Sequence, residues 1–199
     1  MPEIKYAEFK DKLKAATIFS FATVESKLGR AYAKIFIHNL KKKGEIINLR
    51  KGWYSFKSSP YLFTVTLGKA YVGLGTAAFL HGAWNQIPNV TVLSPNASYR
   101  TRGGLRVIGG AKVMVRKISS KMYFGYERKF FDEIQEWIRV SDAEKTLIDL
   151  IYYDYPLRNE IIPELKKIVN KKKLRKYLNL MKTRKVRGFE KISERIAGL

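Results

Sequence analysis

The chain has no cysteine and only two histidines in 199 residues. Without thiols there is no disulfide, thiolate zinc site or cysteine nucleophile, and two imidazoles are too few for a histidine-rich metal centre. Long apolar runs are missing too, since the longest stretches fall far short of the roughly 18 residues a membrane-spanning helix needs. Met1 to Lys14 has interspersed charges rather than an apolar signal run. No strongly amphipathic segment or anchor points to a membrane surface. The expectation is a soluble, cytoplasmic protein with no membrane partner. Acids are scarce as well, with 17 Asp and Glu facing 39 Lys and Arg for a formal net charge of +22. A heat-adapted surface is the bland explanation for many lysines, but such surfaces balance Lys with Glu. An excess of this size implies a polyanionic partner, with nucleic acid the first inference.

Catalytic signatures are absent in the same way. A nuclease or nucleotidyltransferase needs clustered carboxylates to hold Mg²⁺. Glu144 and Asp149 are five apart on one predicted helix and turn away from each other, and Glu144 is read as a helix cap. Asp132, Glu133 and Glu136 flank an apolar region with no lysine signature nearby. There is no P-loop and no Gly-x-Ser-x-Gly. Gly73-Leu74-Gly75 lacks the third glycine of a dinucleotide fingerprint and reads as close backbone packing, while His81 reads as a satisfied, half-buried side chain. The expectation is a non-enzyme with no cofactor and no metal.

What is present begins at residue 20. Thr23 to Leu28 is compatible with a short helix that stops at Gly29. Arg30 to Lys43 then places Ala33, Phe36, Ile37 and Leu40 on one helical face and Arg30, Lys34, His38, Lys41 and Lys42 on the other. Gly44 ends it. Ile46–Leu49 and Trp53–Phe56 read as two strands around Arg50-Lys51-Gly52. A first helix within Met1 to Lys14, with Tyr6, Phe9 and Leu13 in phase, supplies the third helix that such a unit needs to close a core. Helix, turn, basic helix and basic hairpin in that order make a winged helix-turn-helix over residues 1–58.

An α-helix fits the major groove of duplex DNA, with its first turns at base edges and its later ones at phosphates. Arg30 is therefore the candidate for guanine, followed by Tyr32 and Lys34, with His38 one turn on. Lys41 and Lys42 suit phosphates, and Arg50 and Lys51 at the hairpin tip suit the minor groove or backbone. Tyr32 is equally compatible with packing, and His38 with an incidental exposed contact. Trp53 and Tyr54 read as core anchors of the wing.

Ser58-Ser59-Pro60 is the candidate linker. Beyond it, a mixed α/β domain over residues 61–199 ending in helices gives an α+β protein. The expected elements are a buried strand over Tyr61–Leu67 and a short helix over Tyr71–Trp84. A strand over Val90–Leu93, a polar loop over Asn96–Gly104 and one long strand over Val107–Ile118, with Gly109-Gly110 as a bulge, come next. Strands over Tyr123–Phe131 and Ile134–Val140 follow. Ser141 and Glu144 have capping-box spacing before a helix running to about Tyr153. Three more helices cover Asn159–Asn170, Lys172–Met181 and Phe189–Ile196.

Charge gathers at both ends. Residues 1–58 hold 13 Lys and Arg against 5 acids, and residues 158–199 hold 14 against 4. Lys171, Lys172, Lys173, Arg175, Lys176, Arg184, Lys185 and Arg187 form either an auxiliary backbone-contacting patch or a solvated face.

Three segments, in order, carry a resemblance. Leu40-Lys41-Lys42-Lys43-Gly44 leads into Arg50-Lys51-Gly52-Trp53-Tyr54, then come Tyr71–Gly82 (YVGLGTAAFLHG) and Val140–Leu150 (VSDAEKTLIDL). Together, from about residue 5 to about 180, they resemble the AbiEi family of antitoxins, transcriptional regulators of type IV toxin–antitoxin systems. The resemblance implies a winged domain that binds inverted repeats in its own promoter as two copies. It also implies a C-terminal domain that antagonises a nucleotidyltransferase-like toxin without a stable complex. A stand-alone regulator of the same architecture, or an RNA-binding accessory protein using the basic tail, are the alternatives.

Overall fold

In the computed structural model, which describes residues 2–86 and 88–199, the chain opens with α1 (Pro2–Ala15), β1 (Ile18–Ser20), α2 (Phe21–Leu28), α3 (Arg30–Lys42), β2 (Ile47–Arg50) and β3 (Trp53–Ser55). Met1, included in the first predicted helix, lies outside the described residues. The Ser20 hydroxyl caps α2 by accepting from the Thr23 amide at 3.0 Å. Gly29, at φ +75° and ψ 158°, occupies backbone space that side-chain-bearing residues avoid, so α2 and α3 abut across a one-residue joint. The three strands form an antiparallel sheet in the order β1-β3-β2. Leu13, Phe19, Val24, Ala33, Ile37, Leu40, Ile46 and Tyr54 fill the space between this sheet and the helices. The predicted helices and strands of this segment match to within a residue or two.

The remainder is α4 (Leu62–Thr66), β4 (Tyr71–Val72), α5 (Leu74–Leu80), β5 (Val90–Ser94), β6 (Gly104–Ile108), β7 (Ala111–Lys117), β8 (Tyr126–Phe131), β9 (Glu136–Ser141), α6 (Ala143–Tyr152), α7 (Arg158–Ile168), α8 (Lys171–Thr183) and α9 (Phe189–Ala197). The strands form a mixed sheet in the order β6-β7-β5-β4-β9-β8, with β5/β7 and β4/β9 parallel. Successive residues point to opposite faces. Tyr71 and Leu93 thus join a core with Leu147, Ile148, Ile161 and Leu165 of the helices. Val72 and Val92 join another with Leu62 and Phe63 of α4. The whole is a mixed α+β protein. No helix among the described residues is long and apolar enough to cross a membrane.

Four sequence expectations change. Tyr61–Leu67 is mostly helix rather than strand: a short apolar run has no decisive period, and Pro60 and Tyr61 form the turn that leads into the helix. Tyr71–Val72, expected in a helix, is an interior strand of the sheet, and the helix starts after Gly73. Val107–Ile118 is not one strand. Gly109 (φ +56°) and Gly110 (φ +82°) form the two-residue turn of the β6–β7 hairpin, the conformation a Gly-Gly pair supplies without strain. The cap of α6 is Asp142, whose Oδ1 accepts from the Lys145 amide at 2.8 Å, because Ser141 is still paired in β9.

Ser58-Ser59-Pro60 is also not a free tether. Ser59 is buried, the Lys57 ammonium donates to the Ile134 carbonyl at 2.7 Å, and the Ser58 hydroxyl donates to Gly109 at 3.4 Å. Leu49 belongs to the core beneath α4, with Ile18, Ile47 and Trp53 packed against it. The first sheet is thereby laid on the second.

Candidate nucleic-acid interface

Helix α3 buries Ala33, Ile37 and Leu40 and leaves Arg30, Tyr32, Lys34, Ile35, His38, Lys41 and Lys42 exposed. It carries no acidic residue. Tyr32 and Ile35 are 61% and 56% exposed, which sets Tyr32 outside the core. An uncovered face that mixes cations with an aromatic and an aliphatic side chain can meet both phosphates and the apolar edges of bases. Arg30 pairs loosely with Glu25 at 3.8 Å, and Lys41 lies 5.2 Å from the centre of the Tyr54 ring. Tyr54 is buried, as expected of a core anchor, and Trp53 is half-buried.

The hairpin departs from expectation. Its turn is only Lys51-Gly52, and the Gly52 carbonyl accepts from the Phe21 amide at 2.8 Å, so the tip is held against the start of α2. The Arg50 side chain does not project. Its Nε and Nη2 donate to the Thr66 carbonyl at 3.3 and 3.1 Å, and the guanidinium lies over the Trp53 ring. Burial, and then the neighbouring Arg100, lower its pKa. Arg50 is a stitch between the first sheet and α4, and Lys51 is the exposed cation of the turn.

The tail patch divides in the same way. Lys171, Lys172, Arg175, Lys176, Lys185 and Arg187 are exposed. Lys173 bridges Asp142 (3.0 Å) and Glu144 (3.1 Å). Arg184 donates to the Lys121 carbonyl at 3.1 Å and lies over the Phe124 ring. Both belong to the packing of α8 against the rest of the protein, which removes them from the set of cations open to a ligand.

No family model matches the chain, and no curated protein matches it. The AbiEi resemblance therefore rests on the three sequence segments and their order.

Two of those segments enclose a buried polar network. Lys145 and Asp149, both fully buried, form an ion pair on successive turns of α6. The Tyr71 hydroxyl donates to Asp149 at 2.8 Å and accepts from Lys145 at 2.9 Å, closing a ring of three. Burial pushes the Lys145 ammonium down and the Asp149 carboxyl up from their ordinary ranges, and raises Tyr71 well above its own. Glu144, expected as a cap, instead accepts from the Asn170 amide at 2.6 Å and pairs with Lys173. Burial works to raise its pKa but is outweighed by those contacts, and the result is a lowered value. The Tyr177 hydroxyl donates to Asp142 at 2.6 Å. The sequence reading weighed Glu144 and Asp149 only as a carboxylate pair, set them aside as turned away from each other, and did not single out Lys145–Asp149, although four-residue spacing was the available signal.

Gly73 and Gly75 behave as read. A Cβ would lie 2.6 Å from Leu93 at Gly73, and 2.8 Å from both Trp84 and Tyr155 at Gly75. His81 is satisfied on both nitrogens, with Nε2 donating to the Ser141 carbonyl at 2.7 Å and Nδ1 accepting from Lys129 at 3.3 Å.

Proposed function

We propose that the chain is a sequence-specific, duplex-DNA-binding transcriptional regulator, the autorepressing antitoxin of a type IV toxin–antitoxin operon, with no catalytic role of its own. In this reading residues 1–58 are a winged helix-turn-helix domain and α3 is its recognition helix. Residues 61–199 form the domain that opposes a nucleotidyltransferase-like toxin. The observation that carries the DNA reading is the solvent face of α3, where Arg30, Lys34, His38, Lys41 and Lys42 are exposed together with Tyr32 and Ile35 and no acid lies on the helix. Lys51 and the exposed Lys171, Lys172, Arg175, Lys176, Lys185 and Arg187 offer further phosphate contacts in this reading. Inverted repeats would be met by two copies.

The test is fluorescence anisotropy on a labelled duplex from the chain's own promoter, with unlabelled promoter, random duplex and single-stranded RNA as competitors. Promoter duplex should compete best. Arg30→Ala should cost about 1–3 kcal/mol on the preferred site and narrow its margin over random DNA, whereas Lys42→Ala should weaken all duplexes alike and reduce the salt slope by about 1. Equal competition by RNA, with no preference for the promoter, sinks the regulator reading and favours the RNA-binding one. Rescue of growth on co-expression with an adjacent nucleotidyltransferase separates the antitoxin from a stand-alone regulator.

A further inference from the structure

A cleft of about 290 Å³ opens between α4 and the β8–β9 hairpin, on the second sheet and outside the interface above. Thr64 and Gly68 line one side, and Arg128, Glu136, Trp137 and Arg139 line the other. Two of its features are costly to an empty site. Arg128 and Arg139 are direct cross-strand partners, a like-charge pairing that destabilises a sheet. Trp137, a large aromatic, is 53% exposed at the rim, steadied on one side by the Phe130 ring 5.2 Å away.

Each cost is relieved by the same kind of ligand. An oxyanion between the arginines offsets their repulsion, and a flat ring covers the indole. Arg139 is already oriented: its Nη1 donates to the Gly68 carbonyl at 2.6 Å, and its guanidinium stands 5.8 Å from the Tyr126 ring. Arg128 is exposed and available for a bidentate contact. Glu136, whose carboxylate accepts from the Trp137 amide, holds the net charge of the cleft near one positive unit, which suits a single phosphate rather than a triphosphate. The volume lies at the small end of ligand pockets, enough for one nucleotide and too little for a dinucleotide cofactor.

We infer that this cleft binds one nucleoside monophosphate unit, its phosphate held by Arg128 and Arg139 and its base stacked on Trp137. The unit is either a free nucleotide or one residue of a single strand, since the chemistry is the same.

The experiment titrates the full chain with adenosine 5′-monophosphate, inorganic phosphate and a short single-stranded oligonucleotide, at salt high enough to screen the general positive charge. Calorimetry and tryptophan fluorescence are the readouts. Adenosine monophosphate should bind and outcompete phosphate. Trp137→Ala should weaken it by about 5- to 150-fold, the span of one base–aromatic stack, and Arg128→Gln should weaken it at least as much. Displacement of adenosine monophosphate by the oligonucleotide assigns the natural ligand to a strand, and failure to displace it assigns a free nucleotide. Absence of binding by both, equal affinity for phosphate alone, or affinity indifferent to Trp137 and Arg128 overturns the inference. Lys42→Ala should leave nucleotide binding unchanged, so loss of duplex binding and loss of this site are read separately.

Discussion

Lys145 and Asp149 show what a single residue can decide in this protein. Removing one member of a fully buried ion pair strands the other charge, so Lys145→Ala should destabilise the fold by about 3–5 kcal/mol. Lys145→Met combined with Asp149→Leu should recover much of that loss, because two apolar groups leave no charge behind. Urea unfolding measures both, and a cost below about 1 kcal/mol for Lys145→Ala would mean that water reaches the pair after all. The spacing of these two residues was legible in the chain, but their burial was not. It depends on Gly125, at φ +68°, where a Cβ would sit 2.8 Å from the Lys145 Cβ and 2.9 Å from the Tyr177 ring. Arg50 was misjudged for the same reason. A cation beside a turn reads as exposed until the carbonyl that captures it, at Thr66, is known to be in reach.

At the level of elements, the helices declared themselves wherever period and punctuation agreed, as with Gly29 and Gly44 around α3, whereas Asn170, read as the end of one helix, is the cap of the next, its Oδ1 accepting from the Lys173 amide at 3.0 Å. Short pieces did not, because α4 and β4 are too brief to show a period. The joint between α6 and α8 is electrostatic and yields a pH dependence. Glu144 has a folded pKa below its ordinary 4.5, so its stabilisation is complete above that value and disappears as the pH falls through the lowered one. Glu144→Gln should lower the melting temperature at neutral pH and lessen its fall on acidification to about pH 3. A variant that tracks the parent at every pH would show that the Lys173 and Asn170 contacts contribute nothing.

The molecule as a whole is held together at the boundary that composition marks as a linker. Arg50, Lys57 and Ser58 each donate across it, and Leu49 reaches into the second core. Residues 1–58 should therefore unfold with the rest in one transition, seen alike by far-ultraviolet dichroism and tryptophan fluorescence. Arg50→Ala should lower stability by about 1–3 kcal/mol, the cost of an unpaired buried carbonyl, and leave duplex affinity nearly intact. Loss of affinity at unchanged stability would return Arg50 to the DNA contacts. The tight reversal at Lys51-Gly52 has a consequence for the proposed regulator. With so short a finger, each copy engages one groove only, and its selectivity has to come from the angular phasing of two half-sites. Inserting about 5 base pairs between them, half a helical turn, should therefore abolish joint occupancy even though every contacted base is retained.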